Sequence, residues 1–173
     1  MMTSLLNRLF TLEEINGHNR CPTYLYRWTL FQPRRPRWLW RGFGVYLHHF
    51  VGDDWSRDLH DHPKRFISIG LKGRYIEETP RLEFYDDGEP HLHLPASRIV
   101  SQDRLYVAPW LRTFPAEHVH RLRLVNGEDC WTLVIVLRAV REWGFWHDGQ
   151  WIHWKEYVGG SARAIADKMR ACL

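Results

Sequence analysis

"RDLHDHPKRFISIGLKGRY" (residues 57–75) sets two histidines two positions apart, follows them with a proline and runs straight into an apolar segment. Alternate side chains of an extended chain point to the same side, so His60 and His62 share a face while Asp61 points away. Two convergent imidazoles suggest a metal, and a metal needs a further ligand from elsewhere in the chain.

Working outward, the same short β-rich texture recurs. Candidate strands fall at 43–51, 65–73, 74–79, 81–86, 104–108, 118–125, 130–137 and 150–158. Turn signals separate them: "GDD" at 52, "DDGEP" at 86, "NGED" at 126 and "HDGQ" at 147. Many short strands with regular punctuation and no helices between them predict an all-β, antiparallel sandwich or barrel. At the N-terminus Leu5, Leu6, Leu9, Leu12 and Ile15 recur at helical spacing, with Thr3 or Ser4 available as cap. At the other end "SARAIADKMRACL" puts Ala162, Ile165, Ala166, Met169 and Cys172 on one stripe behind Ser161, an amphipathic helix. The expected organisation is a helix and a basic loop over 1–42 packed on the barrel, the barrel itself over 43–158, and a closing helix over 159–173.

The 173 residues are enough for one domain, and 45% hydrophobic residues can fill its core. Eleven histidines and ten tryptophans suit a lined pocket better than a plain scaffold. Cys21, Cys130 and Cys172 are odd in number and contain no C-x-x-C, which argues against a disulfide framework or a zinc ribbon and for a reducing cytoplasm. "MMTSLLNRLFTLEEI" is broken by Asn7, Arg8, Glu13 and Glu14, so it lacks the apolar run of a signal peptide, and no stretch has the length of a membrane span. A soluble, cytoplasmic protein is expected.

Part of the net charge of +4 lies in "QPRRPRWLWR" (32–41), where Arg34, Arg35, Arg37 and Arg41 interleave with Trp38 and Trp40. Such a stretch can grip phosphates and stack on bases. Because it is a single proline-broken segment, a surface loop whose tryptophans tuck against the domain is the simpler reading. Nucleic acid is therefore not the expected partner.

"HVHRLRLV" (118–125) supplies candidates for the missing ligand: His118, His120, Leu122 and Leu124 share one face, and the arginines take the other. Both histidines are expected to point into the barrel. An inward histidine about sixty residues after an H-x-H resembles the ligand layout of the cupin superfamily. "LHDHPKRFISIGLKGRYIEE", "FPAEHVHRLRL", "WTLVIVL", "REWGFW" and "WIHWKEYVGG" follow one another over roughly residues 43–160. In that order they resemble the blocks of small bacterial and phage single-domain cupins of the RmlC-like superfamily. The resemblance implies a double-stranded β-helix, or jelly-roll barrel. It also places the second motif on Ala116, Glu117, His120 and Arg121, which makes His120 the third ligand and His118 a fourth ligand or a supporting partner.

One departure from the pattern matters. Many cupins follow the H-x-H with a metal-binding glutamate, and Lys64 to Ile67 supply none. The implied site is three neutral imidazoles holding one divalent transition metal, Fe foremost, with Zn, Ni or Cu also compatible. By analogy with three-histidine cupins that are dioxygenases, the implied activity is an oxygenase acting on a small molecule. Lewis-acid isomerase or lyase chemistry and non-catalytic ligand binding are the alternatives. Arg112, just ahead of the second motif, is the candidate anchor for an anionic substrate. His91 and His93 read as an exposed loop, Asp61 and Glu117 as supporting or surface groups, and His48 and His49 as pointing opposite ways. Self-association as a homodimer is left open.

Overall fold

The computed structural model describes residues 2–16, 22–32, 42–54, 58–85, 96–147 and 149–159. The basic segment Arg34–Arg41, the pair His91 and His93, and the expected helix over 161–173 lie outside these residues. Among these residues a short helix α1 (Met2–Leu9) is followed by twelve strands. They are β1 (Thr11–Asn16), β2 (Thr23–Phe31), β3 (Gly44–Phe50), β4 (Leu59–His60), β5 (Lys64–Lys72), β6 (Arg74–Tyr85), β7 (Ala96–Val107), β8 (Trp110–Phe114), β9 (Arg121–Leu124), β10 (Cys130–Ala139), β11 (Gly144–His147) and β12 (Gln150–His153). A one-and-a-half-turn helix α2 (Trp154–Gly159) is the last element among the described residues.

The sheet orders are β1-β2-β3-β10-β5-β8, β12-β11-β4 and β7-β6-β9. A reciprocal backbone bridge joins the two smaller sheets: His60 N donates to His120 O at 2.9 Å, and His120 N donates to His60 O at 2.9 Å. The result is two opposed layers of antiparallel strands, the jelly-roll arrangement expected from the sequence. The chain passes from the first layer to the second at Gly73, between β5 and β6. Its φ of +84° is open to glycine, and a Cβ there would lie 2.2 Å from the carbonyl oxygen of Asp129.

Strand parity sets what faces the interior. On β5, Lys64, Phe66 and Ser68 share the inner face; on β3 it is Tyr46, His48 and Phe50; on β10, Thr132, Val134 and Val136. Leu25, Phe50, Tyr75 and Cys130 pack into a buried cluster beyond the inner end of this face, supported by Tyr24, Trp110, Leu122 and Leu124. That cluster plugs one end of the barrel.

Several boundaries differ from the sequence reading. Leu12 and Ile15 belong to β1 rather than to the first helix, because the helix stops at Leu9 and Thr11–Asn16 pairs antiparallel with β2. β1 and β2 thus extend the first layer by two strands. The runs at 74–79 and 81–86 form one strand, β6, which carries Pro80 opposite Ser101. The candidate strand at 150–158 ends at His153 and turns into α2. Among the described residues no helix is long and apolar enough to cross a membrane.

Candidate metal centre

The bridge between His60 and His120 brings the two histidine motifs side by side, and a third hydrogen bond, from His62 N to Ala116 O at 3.1 Å, fixes the end of the first motif. The rings converge as strand parity requires. Centroids lie 5.1 Å apart for His60 and His62, 5.2 Å for His60 and His120, and 4.9 Å for His62 and His120. One ring nitrogen from each lies within 4.8 Å of the other two. Two of them, His62 Nε2 and His120 Nε2, stand 2.9 Å apart.

Burial keeps this trio uncharged. It pushes His60 down to about 3, takes His62 well below the ordinary imidazole value, and lowers His120 despite the opposing pull of Glu77. Repulsion among the rings acts in the same direction on His60 and His62. Neutral imidazole is the form that offers a lone pair to a metal.

Glu77 on β6 decides which nitrogen carries the proton. Its Oε1 accepts from His120 Nδ1 at 2.8 Å and from His118 Nε2 at 2.9 Å, and its Oε2 accepts from Arg112 Nη2 at 2.7 Å. Burial pushes the Glu77 carboxyl up, but these three hydrogen bonds outweigh it and hold the group below the usual carboxylate range. An ionised carboxylate only accepts, so the His120 proton sits on Nδ1 and the Nε2 lone pair is left for the trio.

His118 is hydrogen-bonded to Glu77, with its ring centroid 4.9 Å from that of His120. With Glu77 and His120 it forms a second potential metal-ligating group, but its donors and acceptors there already satisfy one another. Arg112 is turned to the same carboxylate, with its guanidinium 3.7 Å from the Tyr106 ring centroid and 4.4 Å from that of Phe114. Asp61 occupies the opposite face from its histidine neighbours: it is buried and accepts from Gly144 N at 2.8 Å, Trp151 Nε1 at 2.9 Å and Arg141 Nη1 at 2.8 Å. It thus clamps β11 and β12 onto the strand that carries the ligands. Glu117 is exposed. His48 and His49 do diverge: His48 faces the interior, and His49 stacks on Trp131 with its Nε2 3.0 Å from Asp129 Oδ2.

A cavity of about 650 Å³ opens from the trio into the barrel. His60, His62 and His120 line it together with Phe66, Phe114 and Trp143. Lys64 also lines it and makes no ion pair among the described residues. Sequence reasoning passed over Glu77 and Lys64 as site residues. For both, the signal was parity: Glu77 shares its face with buried Tyr75, and Lys64 shares its face with Phe66.

Among solved structures, a cupin-2 domain protein of Rhodospirillum rubrum superposes with a TM-score of 0.51 at 16% identity, over 92% of this chain and 89% of that one. The fold is that of a cupin. An RmlC-like cupin protein of Ralstonia eutropha gives a TM-score of 0.49 at 13% identity, covering 94% and 82% of the two chains. A predicted oxalate decarboxylase of Thermotoga maritima gives 0.47 at 14% identity, covering 75% and 93%. No family model and no curated protein matches the sequence. Within this cupin barrel the donor set fits a divalent transition metal: three neutral nitrogens converge, and a carboxylate directs one of the lone pairs.

Proposed function

We propose that this cupin is a metal-dependent oxygenase of the three-histidine, Fe(II) type, acting on a small anionic molecule bound in the barrel. The observation that carries the reading is the convergence of three neutral imidazoles at the inner wall of a 650 Å³ cavity with no carboxylate among them. A divalent iron held by His60, His62 and His120 would supply Lewis acidity and one-electron chemistry toward dioxygen. The protein's own groups supply the rest. Phe66, Phe114 and Trp143 make the walls beside the trio apolar, which excludes water. Lys64 is the cation available to an anionic substrate, because the charge of Arg112 is already matched by Glu77. Arg112 then acts by holding Glu77, with its ring contacts fixing the guanidinium.

A second reading has an observation of its own. His118 and Glu77 form a hydrogen-bonded acid–base pair one residue removed from a ligand histidine, and His118 is only partly buried. Such a pair suits proton transfer in a Lewis-acid isomerase or lyase. Oxygen uptake separates the two. Protein reconstituted with Fe(II), offered a panel of small carboxylic acids, keto acids and thiols, is expected to consume oxygen, and the zinc form is not. Equal conversion by both forms with no oxygen consumed would favour the Lewis-acid reading. No conversion across the panel would favour a binding cupin.

A further inference from the structure

The inner end of the cavity carries polar atoms that the metal centre does not use. His48 Nε2 and Thr132 Oγ1 are both buried and make no hydrogen bond among the described residues. They stand directly opposite each other in the β3–β10 register, and both line the cavity. The next inward pair, Phe50 and Cys130, belongs to the hydrophobic plug, so the two atoms sit at the cavity floor. A buried polar atom without a partner is costly, and two side chains paired in register on one cavity wall carry such atoms.

The register also gives their distance from the histidine trio. Phe66, whose ring lies 4.8 Å from that of His62, marks the level of the metal centre on β5, and Gly70 is the residue paired with Thr132. Four residues of strand separate these levels, about 13 Å before side chains reach inward. The wall between them is mostly apolar, formed by Phe66, Val134 and Tyr46, with the Ser68 hydroxyl accepting from Trp110 Nε1 at 3.4 Å.

The pair itself is uncharged. Burial pushes His48 down to about 3, and threonine carries no charge. The cation nearest in register, Arg27, is paired with Glu13 at 2.7 Å. Asp54 also lines the cavity, and burial pushes its carboxyl up to about 7.

We propose that His48 Nε2 and Thr132 Oγ1 are a recognition pair for an uncharged polar group, a hydroxyl, carbonyl or amide, on the far tip of the bound molecule. The substrate is then elongated, with an anionic end at the trio and Lys64, an apolar middle, and a polar uncharged tip at the floor. This orientation rests on the reading of the trio as the reactive end, while the pair's preference for a polar tip does not.

The test uses the full chain, zinc-loaded and chelator-treated, and measures binding of straight-chain ω-hydroxy acids that bracket the span, each against its parent fatty acid and its ω-amino acid. At one chain length the hydroxy acid is expected to bind about tenfold more tightly than its parent, the worth of one well-made hydrogen bond. Thr132→Val and His48→Phe should each remove that preference. Thr132→Val should also leave the ligand-free melting temperature equal or higher, since it deletes an unpartnered hydroxyl. No hydroxyl preference at any length would overturn the proposal. So would a preference that survives both replacements, tighter binding of the ω-amino acid, or a clear loss of stability in Thr132→Val. A hydroxyl preference that persists when chelation leaves all affinities unchanged would support the pair and count against the metal reading alone.

Discussion

At the scale of single residues, Glu77 is the group on which the centre turns. It holds the His120 proton on Nδ1, so Glu77→Gln, which keeps the shape and removes the charge, should weaken metal binding by about ten- to a hundredfold while leaving the fold intact. Metal titration against a competing chelator reads this directly, and unchanged affinity would show that Glu77 does not set the tautomer. A second expectation concerns pH. The unfolded chain protonates its histidines near 6.5, whereas His48 and His60 stay neutral in the folded state down to about 3. Between those values the unfolded state binds more protons, so stability rises with pH across the window and falls as acid is added. Metal-free protein should lose up to about 1.4 kcal/mol per pH unit for each such histidine, and His48→Phe should lower the slope by one proton. Asp54 acts in the opposite direction, since burial pushes it up to about 7. Denaturant titrations over this range check both signs. Two-residue periodicity made the shared face of His60 and His62 and the inward face of His118 and His120 legible from the sequence, whereas the preference for His120 came from the resemblance to cupins. Glu77 was not legible, although parity with Tyr75 marked it as an acid on a buried face.

Among the elements, the β5–β6 turn carries the connection between layers. Gly73→Ala should destabilise the protein by about 2 kcal/mol or more, because the residue has a left-handed φ and its Cβ would press on the Asp129 carbonyl. Thermal or chemical denaturation measures this, and a neutral result would mean that the turn relaxes freely. The core strands β3, β5 and β10 were readable as short apolar, β-branched or aromatic runs bounded by turn residues. The edges were less so. Leu12 and Ile15, three apart, fit a helical stripe rather than an alternating strand, and it is pairing with β2 that decides for the strand. Pro80 divided β6 on paper because proline cannot donate to a ladder, yet β6 continues through it with Pro80 opposite Ser101. The short strand β4 spans only Leu59–His60, and its partners on β11 and beside β9 lie far along the chain, which local patterning does not show.

For the whole molecule, the jelly roll acts as a device for bringing residues 60 and 120 into register. The two smaller sheets are joined where His60 and His120 exchange hydrogen bonds, so the joint that completes the second layer is also the joint that brings the candidate ligands together. The cavity runs from that joint to the hydrophobic plug, with Lys64 at one level and the His48–Thr132 pair at the other. The central claim is that His60, His62 and His120 hold one metal ion. Elemental analysis of anaerobically purified protein, with each histidine replaced in turn by alanine, tests it most directly. The expected result is one transition metal per chain in the parent, lost in His60→Ala, His62→Ala and His120→Ala, retained in His91→Ala and His93→Ala, and weakened in His118→Ala. Full metal content in the three ligand variants, or its loss in His91→Ala or His93→Ala, would contradict the account.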